Sequence, residues 1–195
     1  MSIKTLHTPA KTLAVILCVV ALGGGCAKQE VSPDTSTDTS GYSDYGWAKY
    51  SAANGNFTAE FPIFPTYSQD ALPLNEEGDT FNYEAYSAET ASALYSVGVY
   101  YYPAELDLSD VDARLQGAVD GMVSSTGGSI VSTEYGYYDS YRSISYTIGA
   151  TDGLELRGLA AVVDHTVYQL LNVYAAANYN EADFQHFIEA FELSK

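Results

Sequence analysis

Cysteine and histidine are scarce in this sequence, and their scarcity excludes several kinds of site. The 195 residues contain two cysteines, Cys18 and Cys26, and three histidines. Cys18 lies in an N-terminal apolar run that we expect to be removed, so Cys26 would be the only thiol left. One thiol allows no intramolecular disulfide and no cysteine-based metal site. A folded domain of this chain must therefore be stabilised by its hydrophobic core.

Positive charge is also sparse. Eight Lys and Arg face 25 Asp and Glu, for a formal net charge of −17, and removal of residues 1–25 would take away Lys4 and Lys11 and make it −19. Such a chain is repelled by nucleic acid and by anionic headgroups. We therefore expect no nucleic-acid partner, and we expect any membrane contact to be made through a lipid. The acidic surface suits a cationic partner, or serves solubility alone.

A long apolar run is missing, but a short one is present at the N-terminus. Thr12 to Leu22 reads TLAVILCVVAL and follows the basic residues Lys4, His7 and Lys11. It is shorter than the roughly 20 residues that a membrane-spanning helix needs, and it fits the apolar region of a signal peptide, about 7–15 residues. We predict a signal peptide over residues 1–25.

The end of this segment, ALGGGC, resembles the lipobox of bacterial lipoproteins, with Leu22 one position earlier than in the usual pattern. That resemblance implies cleavage before Cys26 and acylation of its thiol. An ordinary cleaved signal with an unmodified Cys26, or an uncleaved anchor, is the alternative. Residues 26–45 are rich in Ser, Thr, Asp and Gly, so we predict an acylated cysteine followed by a disordered tether. Residues 46–195 are predicted to form one domain.

Alternating apolar residues predict a strand-rich domain. The pattern indicates strands in NFTAEFP, TYSQDAL and TFNYEAYS, and in four segments at about 129–137, 141–148, 154–163 and 167–175. Ala91 to Pro103 is apolar on both faces, which favours a central strand. One helix is predicted to follow a cap at Ser109 and another to follow Asn180, with Phe184, Phe187, Ile188 and Phe191 on its apolar face. We predict an α+β fold with a mostly antiparallel sheet.

Two stretches carry a resemblance to a known family. WAKYSAANGNFTAEFPIFPT at the start of the domain and VYQLLNVYAAANYNEADFQHFIEAFEL at its end resemble PsbP-like domains, with Ala190 where Ser is usual. These domains are shared by extrinsic photosystem II subunits, a Ran-binding import factor and many bacterial lipoproteins. The resemblance implies an α/β/α sandwich with an antiparallel sheet and helices on both sides. It implies no catalytic residue and favours a binding or assembly role.

The sequence shows no catalytic constellation, so no catalytic residue, cofactor or metal ligand is predicted. No G-x-S-x-G is present. His186, with Asp183 and Glu189 on either side, is interpreted as part of a solvated helix face rather than a cation site. The acidic clusters at Asp107, Asp110 and Asp112, and at Glu76, Glu77 and Asp79, are interpreted as a helix start and a turn.

Tyrosine is abundant, with 18 residues. Tyrosines at the surface suit a protein interface, and tyrosines in strands also fill cores; both interpretations stay open. We predict Tyr137, Tyr138 and Tyr141 as a partner-contact patch. The expected function is a lipid-anchored, non-enzymatic accessory or adaptor module that binds another cell-envelope protein. The alternative is an envelope protein that binds a small ligand or a divalent metal in a pocket between sheet and helix.

Overall fold

The structure is a computed structural model that describes residues 41–73, 80–106, 109–151 and 153–194. The predicted signal peptide, Cys26 and most of the predicted tether lie outside these residues. So do Glu76, Glu77 and Asp79 of one acidic cluster and Asp107 of the other.

The described residues form ten strands, two α-helices and one short 3-10 helix at Ala176–Asn178. The strands are β1 (Ala48–Ser51), β2 (Phe57–Phe61), β3 (Thr66–Pro73), β4 (Thr80–Glu89), β5 (Ala93–Tyr101), β6 (Ser129–Tyr138), β7 (Tyr141–Gly149), β8 (Leu154–Val163), β9 (Thr166–Ala175) and β10 (Glu192–Leu193); the helices are α1 (Val111–Thr126) and α2 (Glu181–Glu189).

Seven strands form one antiparallel sheet in the order β3-β4-β5-β9-β8-β7-β6, and β1, β2 and β10 form a small second sheet. Helix α1 packs on one face of the large sheet, with Leu115, Val119 and Met122 buried against it. Helix α2 and the small sheet pack on the other face, through Phe187 and Phe61 among others. The predicted α+β class, with an antiparallel sheet between helices, is confirmed.

Strand β5 lies in the middle of both cores. Its residues are buried from Ala93 through Tyr100, because the side chains alternate between the two covered faces of the sheet. Leu94 and Tyr100 belong to the α1 side, and Tyr95 and Val97 to the α2 side. The prediction of a central strand covered on both sides is confirmed.

Both helices begin with a side-chain cap. The Oδ1 atom of Asp110 accepts from the backbone N–H of Ala113 at 2.9 Å, so the predicted cap at Ser109 is wrong by one residue. The carboxylate of Asp110 is placed where it meets free N–H groups of the first turn. Asn180 caps α2 as predicted, since its Oδ1 accepts from the N–H of Ala182 at 3.0 Å.

Candidate functional site

Strand β6 forms one free edge of the large sheet. No strand in the described part of the chain pairs with its outer side, and eight of its ten residues are exposed. Glu134 is its one charged residue. Tyr138 and Tyr141 flank a two-residue turn and form a hydrogen-bonded pair, so alternate residues such as Thr133 and Tyr137 direct their backbone N–H and C=O groups outward. The edge therefore presents backbone groups that another strand can pair with.

The predicted patch residues lie close together along the chain but on opposite faces of the sheet. Tyr137 is on the α1 side and 72% exposed, whereas Tyr138 is on the α2 side and packs against Phe191. The hydroxyl of Tyr138 donates to the carbonyls of Phe191 and Ile188 at the end of α2. Tyr141 is half-buried beside the turn. Of the three, Tyr137 is the residue free to make a large contact.

Arg142 holds the exposed tyrosines of β6 in place. Its guanidinium lies 5.2 Å from the ring centre of Tyr135 and 5.5 Å from that of Tyr137. The same guanidinium makes a two-pronged ion pair with the carboxylate of Asp112 at 2.7 and 2.9 Å, and the pKa of Asp112 is lowered by this hydrogen bonding. Asp112, one of the acidic residues singled out in the sequence, is therefore a partner of Arg142 that joins α1 to β7.

A pocket of about 450 Å³ lies between α1 and the α1 side of the large sheet. Its floor is aromatic: the rings of Phe81 and Tyr102 are stacked with centres 5.0 Å apart, and Tyr100 lies beside them. The guanidinium of Arg114 lies 4.6 Å above the ring of Tyr102. Pockets of this size and apolar character are typical of small-molecule sites.

One strip of the helix wall of the pocket carries only small residues. Ala113, Gly117 and Gly121 line it at intervals of four residues, and Cβ atoms added at the two glycines would meet nothing within 4 Å. Glycine inside a helix costs roughly 0.5–1 kcal/mol relative to alanine. Neither glycine has a positive φ, so neither is needed for backbone conformation. The bare wall leaves room for a molecule to approach the backbone of α1.

A buried polar network lies beneath the pocket floor. The hydroxyl of Tyr100 donates to Oε1 of Gln169 at 2.8 Å, and Nε2 of Gln169 donates to the hydroxyl of Tyr146 at 2.8 Å. Burial raises the pKa of Tyr100 and Tyr146 well above the ordinary phenol value. These phenols therefore stay protonated, and they serve to connect β5, β9 and β7.

On the α2 side of the sheet, one carboxylate accepts hydrogen bonds from three tyrosine hydroxyls. Glu84 accepts from the hydroxyls of Tyr101 at 2.9 Å, Tyr86 at 3.0 Å and Tyr67 at 3.3 Å, and from the amide of Asn54 at 3.3 Å. Burial, followed by the charge of Glu84, raises the pKa of Tyr67 to about 12. The cluster joins the Asn54–Gly55 turn to the large sheet, and this explains tyrosines that the sequence left without a role.

His186 lies in a contact that the sequence did not predict. Its Nε2 atom is 2.7 Å from Oε2 of Glu60 in β2, and its ring stacks on Tyr45 with centres 3.9 Å apart. The Tyr45 hydroxyl donates to Asp183 at 2.7 Å, and the Trp47 ring meets His186 edge-on. The prediction of a solvated histidine is wrong, because the N-terminal segment covers this face of α2. The last residues of the predicted tether thus contact the domain.

A second ion pair fixes the start of α2. The carboxylate of Glu181 accepts from Gln185 at 2.8 Å, from Tyr179 at 2.7 Å and from Arg157 at 2.6 Å. These hydrogen bonds, in that order of importance, lower the pKa of Glu181 to about 2. Arg157 also lies 4.8 Å from the ring centre of Phe184, so it bridges β8 and α2.

Within the residues that the structure describes, no group of three or more His, Cys, Asp or Glu side chains is placed to hold a metal ion. Among the same residues, neither helix combines the length and the apolar character that crossing a bilayer requires. Asp110 and Asp112, which the sequence analysis interpreted as part of a helix start, are the cap of α1 and the ion-pair partner of Arg142.

A seven-stranded antiparallel sheet with α1 on one face, and α2 with a small sheet on the other, defines the PsbP-like class of fold. The chain is similar to the solution structure of cyanobacterial PsbP (CyanoP) from Synechocystis sp. PCC 6803. The TM-score is 0.52 at 10% identity, over 84% of this chain and 98% of that chain. At this identity the likeness shows the fold alone.

A crystal structure of PA94, a protein of unknown function from Pseudomonas aeruginosa, is a weaker match. Its TM-score is 0.36 at 11% identity, over 68% of this chain and 85% of that chain, and a score this low does not show a shared fold. No family model and no curated protein matches the sequence.

Proposed function

We propose that this protein is an exported bacterial lipoprotein, anchored by a lipid on Cys26, that serves as a non-enzymatic accessory module for another cell-envelope protein. The anchor is supported by the signal-like segment 1–25 and by the lipobox resemblance. The PsbP-like fold supports an accessory role by analogy. The observation that carries the proposal is the free edge of β6.

The β6 edge has the properties of a strand-docking site. A partner strand would gain backbone hydrogen bonds along Thr133 to Tyr137, and its side chains would meet Tyr135 and Tyr137 on the α1 face. Arg142 already orders both tyrosines, so binding them costs little side-chain entropy. A single charge at Glu134 leaves the edge weakly protected against pairing.

The test is affinity purification of the tagged full-length protein from gently crosslinked native membranes, with mass spectrometry of bait and companions. We expect an N-terminus at acylated Cys26 and a reproducible companion. Thr133→Pro removes an outward-facing N–H without touching the pairing with β7, so it should abolish recovery of the companion. Ala71→Pro, on the opposite edge strand β3, is the matched control, since the N–H of Ala71 donates to the side chain of Asp70 rather than to β4, and this variant should retain the companion. Equal recovery from both variants would contradict docking at β6, and an unmodified Cys26 would contradict the anchor.

Small-ligand binding is the second candidate function, and the pocket beside α1 favours it. The stacked rings of Phe81 and Tyr102 offer a flat apolar surface, and Gly117 and Gly121 leave the facing wall open. A ligand that binds only the native state would add about 2.7 kcal/mol to the free energy of unfolding when its free concentration is 100 times its Kd. A panel of flat, uncharged ring compounds would therefore reveal a ligand by a rise in Tm.

A variant whose side chain occupies the pocket tests whether a compound binds there or elsewhere on the protein. Gly117→Leu would occupy the pocket and abolish the rise in Tm, whereas Asp120→Leu, on an exposed part of α1, would leave it unchanged. If no compound raises the Tm of the unmodified protein, or if the rise persists in Gly117→Leu, the pocket is not a ligand site.

A further inference from the structure

Three apolar side chains are exposed at Tyr42, near the start of the described chain, and at the consecutive positions 63 and 64. Tyr42 is 68% exposed, Ile63 is 50% exposed and Phe64 is 47% exposed. The rings of Tyr42 and Phe64 meet edge-on with centres 6.3 Å apart. We call these three residues the N-terminal patch.

The backbone holds the N-terminal patch firmly against the domain. Tyr42 forms a β-bridge with Ala48, and the N–H of Lys49 donates to the carbonyl of Gly41 at 3.0 Å. Ile63 and Phe64 lie between two prolines in the connection from β2 to β3, and proline restricts the backbone on both sides. The exposed apolar groups are therefore carried by backbone that belongs to the folded domain.

The position of the patch connects it with the predicted anchor. Forty residues precede Gly41, and Cys26 lies fifteen residues before it. A flexible chain of fifteen residues has a root-mean-square end-to-end distance of about 21 Å. A lipid on Cys26 would therefore keep the membrane surface at about this average distance from the start of the described chain, where Tyr42 lies in contact with Phe64.

The chemistry of the patch suits the interfacial layer of a bilayer. From Phe61 to Ser68 the sequence FPIFPTYS carries no charge, in a chain of net charge −17. Aromatic rings with a polar end, such as Tyr42, are favoured at the level of the headgroups, and Ile63 and Phe64 supply apolar area for the layer below. A zwitterionic surface would accept this uncharged patch while the acidic remainder of the domain stays in water.

We propose that the N-terminal patch rests on the membrane surface and gives the anchored domain a fixed orientation. The proposal rests on the lipid anchor proposed above. It adds a second, non-covalent contact, made by Tyr42, Ile63 and Phe64 with a lipid surface.

The experiment uses the protein expressed from its full sequence in a bacterial host that processes lipoproteins, purified from membranes and mixed with phosphatidylcholine vesicles. An environment-sensitive dye is attached at Ile63→Cys in one sample and at Val131→Cys on β6 in another, both positions being exposed apolar residues. We expect the emission at position 63 to brighten and shift to the blue on vesicle attachment, and the emission at position 131 to stay unchanged. Adding Phe64→Asp to Ile63→Cys should cancel most of the change.

The outcomes separate failure of this inference from failure of the anchor. Protein that does not float with the vesicles lacks the anchor. Protein that floats with identical, unshifted emission at both positions is anchored, but its patch does not touch lipid, and the inference is then overturned. Emission at position 63 that is already shifted before vesicles are added would show that another part of the chain or a second copy covers the patch, which also overturns it.

Discussion

Substitution of Gly158 by alanine tests how tightly the core beneath α1 is packed. Gly158 lies in β8, where the ring of the buried Tyr146 lies directly over its Cα. A Cβ atom there would overlap the end of that ring and would approach the carbonyl oxygen of Leu170 at 2.8 Å. Tyr146 cannot move aside freely, because its hydroxyl is hydrogen-bonded to Gln169.

The stability lost on substitution of Gly158 by alanine has two contributions. Overpacking a filled core typically costs about 1–3 kcal/mol, and losing one buried hydrogen bond adds about 1 kcal/mol. We therefore expect Gly158→Ala to lower the free energy of unfolding by roughly 2–4 kcal/mol. This is a large share of the roughly 5–15 kcal/mol that stabilises a typical domain.

The assay is urea unfolding of the purified protein, with Gly121→Ala as the matched control. Gly121 is also a glycine within a regular element on the α1 side, but a Cβ there meets open space. Helix propensity then predicts a gain of roughly 0.5–1 kcal/mol. The packing argument would be refuted if Gly158→Ala unfolded within about 1 kcal/mol of the unmodified protein, or if both variants shifted in the same direction.

Three further predictions concern surface contacts. Tyr138→Phe should lower the free energy of unfolding by about 1 kcal/mol in urea titration, since it loses bonds to the end of α2, and Tyr137→Phe should change it by less than about 0.5 kcal/mol. The pKa of Glu181 is lowered from 4.5 to about 2, so its stabilising effect is complete above pH 4.5 and declines as pH falls towards 2. The unmodified protein should therefore lose more stability between pH 6 and pH 3 than Glu181→Gln; an equal loss would exclude this contact as a cause. His186→Ala removes the stacking partner of Tyr45, so amide exchange at residues 41–47 should speed up; unchanged exchange would show that the β-bridge holds this segment alone.

Most of the fold was predictable from local patterns. Alternation of apolar residues located the strands β2 to β9, and the burial of β5 on both faces followed from apolar residues at nearly every position. Asn180 and the phenylalanines after it marked α2. Two strands were missed, β1 with four residues and β10 with two, because each is too short for a periodic signal. Both are identified by their pairing with β2 in the small sheet.

The sites were less predictable, because their partners are distant in sequence. His186 seemed to lie between Asp183 and Glu189, yet its partner is Glu60, 126 positions away. Tyr137 and Tyr138 are adjacent in sequence, but strand alternation places them on opposite faces. Tyr141 pairs with Tyr138 and shares its face, so the three residues do not form one surface. This separation could have been predicted from the assignment of the segment as a strand, since successive side chains in a strand point to opposite faces of the sheet.

The sequence by itself determined the class of fold, the acidic surface and the predicted segment that would carry a lipid on Cys26. These depend on composition and short-range periodicity, which need no knowledge of distant contacts. The tertiary structure alone decided which strand lies at an open edge, which face of α1 borders a pocket, and which apolar side chains stay exposed beside Gly41. Each of these depends on contacts between elements that are distant in sequence, because strand pairing and side-chain exposure are set only when the layers pack together.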